Sequence, residues 1–128
     1  MRLVDTVVII GAINEADKLH KKSLAHLAGL ESAADIFVPS PMLIEVMLEL
    51  KSRRFNNQEL TTVFEDLAAV IPKNKIIPQS ITSMAMAIGY YDKGLSFFDS
   101  LICAMAKELE ATVITTDKEI ASHVNVTW

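Results

Sequence analysis

The stretch Ser96-Phe97-Phe98-Asp99-Ser100-Leu101-Ile102-Cys103-Ala104-Met105-Ala106-Lys107-Glu108-Leu109, running on into Ala111-Thr112-Val113-Ile114-Thr115-Thr116-Asp117, decides the fold class. Phe98, Leu101, Ile102, Met105, Ala106 and Leu109 recur with the three- and four-residue spacing of an amphipathic helix. The β-branched run from Thr112 to Thr115 then reads as a strand. The same alternation extends outward in both directions. Leu3 to Ile10 is an apolar, β-branched strand pattern with one acid inside it, and about Ala16 to Ser32 is helical, with Leu19, Leu24, Leu27 and Leu30 on its inner side. Asp35 to Val38 is a strand stopped by Pro39. Ser40 as N-cap and Pro41 at the first helical position open a helix reaching about Ser52. Helices over Gln58–Val70 and Ile81–Tyr91 flank a short strand at Ile76-Ile77, and a short helix at Lys118–Ser122 leads to a last strand at Val124–Thr127. Strands separated by helices, with no Asn-Gly hairpin signal, imply a parallel sheet covered on both faces. The expected fold is α/β: one domain over residues 1–128, a three-layer α/β/α sandwich around a sheet of about four to five strands.

Composition narrows the function. The chain has 128 residues, 51% apolar and 22% charged, which suits one domain with a full core and excludes disorder. Twelve Lys and Arg against sixteen Asp and Glu give a net charge of −4, so any polyanion must meet a local basic patch. Cys103 is the single cysteine, which permits no internal disulfide and no thiolate cluster for zinc and fits a reducing cytoplasm. The early apolar run Val7 to Ile13 is far short of the ~20 residues of a membrane span. No phosphate-binding glycine loop, nucleophile elbow or zinc motif occurs, and His20, His26 and His123 do not share a face.

The acids carry the chemistry. A buried parallel strand has no place for an unpaired carboxylate, yet Asp5 lies in such a pattern, with no cap or turn signalled around it. Asp117 ends the strand that begins at Thr112, and serves equally well as the N-cap of the helix that follows. Asp99, three residues after Ser96, fits a capping box and also borders the apolar stripe of its helix. Glu45 forms an i, i+4 pair with Glu49 and by periodicity alone is a surface residue. Acids at the carboxyl ends of parallel strands gather in one crevice, and several carboxylates there need a cation, for which Mg²⁺ or Mn²⁺ is the matching hard ion.

Several segments, taken in order, resemble a PIN domain, the metal-dependent nuclease fold of VapC-type toxins and related ribonucleases. They are Val4-Asp5-Thr6, Pro41 to Leu48 with Glu45, Gly94 to Ala106 with Asp99, and Ala111 to Lys118 with Asp117. The resemblance covers essentially the whole chain. It implies that Asp5, Glu45, Asp99 and Asp117 form an acidic quartet for Mg²⁺ or Mn²⁺, with Thr115 as a hydroxyl beside the metal and Thr6 as a helper at the substrate. It further implies an endoribonuclease of the toxin–antitoxin kind, with an RNA substrate, a cognate antitoxin and a homodimeric state. Val7 departs from the pattern, standing where many members carry Asn, and Ser100 replaces a common Ala. Lys51, Arg53 and Arg54, just beyond the Glu45 helix, are the candidate contacts to the RNA backbone, although cations at a helix C-terminus also answer the helix dipole. Two other readings compete. A receiver-type signalling domain needs paired acids after the first strand and an acceptor Asp after the third, and the single Asp5 and acid-free Ile76-Ile77-Pro78 do not supply them. A PIN-like RNA-processing or non-catalytic protein-binding module keeps the fold and is separated from a toxin by metal-dependent cleavage and by the neighbouring gene.

Overall fold

A computed structural model describes residues 1–128. Five short strands, β1 (Arg2–Val4), β2 (Ile36–Pro39), β3 (Ile76–Ile77), β4 (Thr112–Ile114) and β5 (Val126–Thr127), form one sheet in the order β3-β2-β1-β4-β5. Every neighbouring pair is parallel, with Val4 level with Ile114. Seven helices connect them: α1 (Thr6–Ile13), α2 (His20–Ala28), α3 (Ser40–Ser52), α4 (Asn57–Val70), α5 (Ile81–Asp92), α6 (Phe97–Glu108) and α7 (Lys118–Ala121). The winding runs outward from β1 to β3 and then crosses back to β4. With the right-handed crossovers that such connections nearly always adopt, this reversal of winding carries helices to both faces of the sheet, as the expected three-layer α/β sandwich requires. The core joins Leu3 and Val4 of β1, Val113 and Ile114 of β4, Met42 and Val46 of α3, and Ile102 and Met105 of α6. No helix is long and apolar enough to cross a membrane.

The main correction falls at the start of the chain. Residues 3–10 are not one strand: β1 stops at Val4, and Val7 to Ile13 belong to α1. Val8, Ile9, Ile10 and Gly11 are all buried, and a helix buried around most of its circumference has the same unbroken apolar pattern as a buried strand. Asp5 is the N-cap of α1, its carboxylate accepting the Thr6 N–H, so the turn that its surroundings did not signal is made by Asp5 itself. Helix α2 is shorter than expected, and Leu24 points outward, while Ser23 joins the expected Leu27 on the inner side. Gly11 is what lets α2 pack so closely on α1: a Cβ there would stand 2.5 Å from Ser23 Oγ. The N-cap of α3 is Pro39 rather than Ser40, with Pro41 still inside the first turn. A single turn of 3-10 helix at Lys73–Lys75 precedes β3.

Candidate active site

The sheet reverses its winding direction between β1 and β4, and α/β sheets bind ligands outside the strand ends at such a point. Asp5 follows β1 and Thr115 follows β4, directly across the pair, where the Asp5 N–H donates to the Ile114 carbonyl. Thr115 Oγ1 donates to Asp5 Oδ2 at 2.6 Å and accepts the Asp117 N–H at 3.0 Å. On the other side, Asp5 Oδ1 accepts the Thr6 N–H at 2.7 Å, and Thr6 Oγ1 donates to Glu45 Oε2 at 2.5 Å. Three acids from three elements are thus strung together as Glu45–Thr6–Asp5–Thr115–Asp117. Glu45 reaches the string because α3 packs against both α1 and α6.

Asp99 approaches from the first turn of α6, where its N–H donates to the Ser96 hydroxyl. Three of the carboxylates sense their neighbours' charge: Asp5 is affected by Glu45 and Asp99, Glu45 by Asp99 and Asp117, and Asp99 by Asp117. Burial pushes the Asp5 carboxyl up to about 7, against the opposing hydrogen bonds from Thr115 and Thr6 and with help from the Glu45 and Asp99 charges. Burial also raises Glu45 and Asp99, again reinforced by neighbouring acids. Cys103, one turn beyond Asp99, is buried, and its thiol is pushed up to about 12 by burial and by the charges of Asp99, Asp5 and Asp117. It is therefore inert packing rather than a nucleophile.

The structure brings all four predicted acids to one end of the sheet, but not into a ready-made cage. No three His, Cys, Asp or Glu side chains are gathered tightly enough to hold an ion. Mutual repulsion opposes such gathering. None of the four is in an ion pair, since the only salt bridges are Arg2–Asp35 and Arg53–Glu49. A partly buried, all-oxygen donor set without a protein cation fits a hard divalent ion. Asp117 caps α7, its Oδ1 accepting the Glu119 and Ile120 N–H groups while Oδ2 has no hydrogen-bond partner; it does not end the strand, since β4 stops at Ile114.

The expected substrate contacts fare differently. Thr6 is buried, with its hydroxyl turned inward to Glu45. Lys51 borders a groove between α3 and α4, on a different side of α3 from Glu45. Arg53 is paired with Glu49, and Arg54, in a left-handed conformation at φ 66°, stands exposed. Val7 is partly buried against the core and offers no polar group.

A parallel sheet with acidic side chains gathered at its switch point defines an α/β protein with a polar crevice of the kind in which such folds bind ligands. More narrowly, the chain belongs to the PIN domain family, whose model matches residues 2–125. It is 28% identical over 139 residues to ribonuclease VapC37 of Mycobacterium tuberculosis, covering 100% of this chain and 95% of that protein. The fold is similar to that of FitAcB from Neisseria gonorrhoeae, with a TM-score of 0.72 at 20% identity over 100% of this chain and 97% of that one. It is also similar to Mycobacterium tuberculosis VapC20, a sarcin–ricin loop cleaving toxin, with a TM-score of 0.73 at 16% identity over 95% of this chain and 94% of that one. VapBC2 from Rickettsia felis, bound to a DNA fragment from its promoter, gives 0.71 at 20% identity over 99% and 98%.

Proposed function

We propose that this protein is a divalent-metal-dependent endoribonuclease acting in the cytoplasm as the toxin of a toxin–antitoxin pair. One observation carries the reading: four carboxylates that repel one another, without any basic partner, at the switch point of a PIN-domain sheet. The ribonuclease and toxin–antitoxin proteins among its relatives support the RNA substrate and the antitoxin partner. Asp5, Glu45, Asp99 and Asp117 would hold Mg²⁺ or Mn²⁺. Held there, such an ion would supply Lewis-acid activation for in-line displacement at phosphorus and charge neutralisation for the leaving group. Thr115 keeps Asp5 and the Asp117 backbone in register, and the raised pKa of Glu45 suits it to accept a proton at Oε1 or Oε2. Arg54, exposed and without an ion-pair partner, is the candidate contact to an RNA backbone, with Arg53, paired to Glu49, beside it and about 12 Å of helix rise separating Arg53 from Glu45. Lys51 is the weaker candidate because of where it points. The test is incubation of the purified protein with a mixed pool of structured RNAs in Mn²⁺ and in EDTA. Discrete internal fragments with Mn²⁺ alone are expected, and intact RNA in both would overturn the nuclease reading in favour of a binding module.

A homodimer belongs to the same proposal. Helices α3, α5 and α6 leave a groove of about 830 Å³ lined by apolar side chains, and Ile88 and Phe97 on its rim are 65% and 62% exposed. Ile44 and Met84 line the same groove, and Leu48, one turn along α3 from Ile44, is exposed beside it. A contiguous exposed apolar surface of this kind marks an interaction site. Light scattering at micromolar concentration should give twice the 14.1 kDa of one chain, and Ile88→Glu should return it to one. A 14.1 kDa species for the wild type would remove the dimer from the proposal.

A further inference from the structure

The contact between Thr6 and Glu45 joins residues 39 positions apart in the chain and two different helices. Thr6 is 9% exposed and holds two carboxylates at once: Asp5 through its backbone N–H and Glu45 through its hydroxyl. A hydroxyl has one proton to give. The distances to the Met42 carbonyl and sulfur, 3.5 and 3.4 Å, are long beside the 2.5 Å to Glu45 Oε2, so the proton goes to the carboxylate. Thr6 is the only hydrogen-bond partner of the Glu45 carboxylate. Without it, a half-buried Glu on a three-torsion stem would sample several rotamers, and each would have to be given up when an ion binds.

We propose that Thr6 is a positioning residue, whose hydroxyl locks the Glu45 carboxylate of α3 against the Asp5 end of β1 and so pre-arranges the divalent-cation site. This rests on the metal reading above and gives Thr6 a role inside the protein rather than at the RNA. Losing an outer hydrogen bond of this kind costs metal sites 10–100-fold in affinity.

Calorimetric titration with Mn²⁺ alone, on wild type, Thr6→Val and Thr6→Ser, tests it. Thr6→Val keeps the shape and loses the hydroxyl, and should bind Mn²⁺ about 10–100-fold more weakly. Thr6→Ser keeps the hydroxyl and should stay within about threefold of wild type. Melting in EDTA should move by no more than a few degrees for either variant. Should Thr6→Val fail to fold, Thr6→Ala removes the same hydroxyl without adding bulk and is read in its place. Wild-type affinity in a folded variant lacking the hydroxyl overturns the positioning role while leaving the metal site standing. Failure of the wild type to bind Mn²⁺ overturns the metal reading and this inference with it.

Discussion

Asp99→Asn is expected to lower Mn²⁺-dependent RNA cleavage by more than about a hundredfold, since it removes one of the charges proposed to hold the ion while nearly conserving volume. That threshold exceeds what loss of an outer-shell partner costs. Asp99 is the better first choice over Asp5, although both should abolish activity. Asp5 accepts the Thr115 hydroxyl on one oxygen and the Thr6 N–H on the other, so an amide at position 5 must turn its NH₂ toward one of these donors. Asp5→Asn therefore mixes a structural loss with a chemical one. The control is Glu49→Gln. Glu49 lies one turn from Glu45 on α3 but pairs with Arg53 at 3.0 Å and is 44% exposed at its side chain. Its exposed ion pair contributes at most about 1 kcal/mol, and cleavage should remain close to wild type. Comparable losses in Glu49→Gln and Asp99→Asn would mean that α3 presents a different face to the substrate from the one that carries Glu45.

The contrast between Asp99 and Glu45 shows what a single sequence can and cannot convey about such a site. Helix α6 was legible because its buried stripe and exposed face differ sharply, and Asp99 could be placed at the stripe's edge from spacing alone. Helix α3 has apolar residues on more than one face, including the exposed Ile44, Met47 and Leu48. Against that background an acid at position 45 looks like solvated surface, and only the family resemblance singled it out. What makes Glu45 part of the site is a hydrogen bond across 39 residues, and periodicity holds no information about such pairs. The boundary after β1 failed for a related reason. Val7 to Ile13 is apolar enough to be strand or buried helix, and pattern cannot choose. A signal was nevertheless present: an Asp immediately before an apolar run is a helix N-cap signature, and applied to Asp5 it would have ended β1 at Val4. The strand order, with β1 in the centre and the crossover back to β4, follows from long-range pairing and had no local trace.

The second large effect is on stability and needs no RNA. Asp5 is held near 7 in the folded protein, well above the 3.8 of an ordinary Asp. Between those values the folded chain keeps a proton that the unfolded chain has released, so the folded state binds more protons and stability falls as pH rises. The contribution is fully present below pH 4 and gone above about pH 7, with a ceiling on the order of 4 kcal/mol at ~1.4 kcal/mol per pH unit. Raised Glu45 and Asp99 act in the same direction. Metal-free wild type should therefore melt well below its pH 5 value at pH 7.5. Asp99→Asn should melt above wild type at pH 7.5 in EDTA, because it relieves repulsion on Asp5 and Glu45. The weakened charge–dipole interaction at the start of α6 opposes this by roughly 0.3–1 kcal/mol. Mn²⁺ at ~100 times its dissociation constant should then stabilise the wild type by about 2.7 kcal/mol and Asp99→Asn by much less, reversing their order. If Mn²⁺ raised both melting temperatures equally, Asp99 would be a helix-capping residue and no ligand. A metal-free wild type equally stable at pH 5 and pH 7.5 would mean that burial does not hold Asp5 protonated in the folded chain.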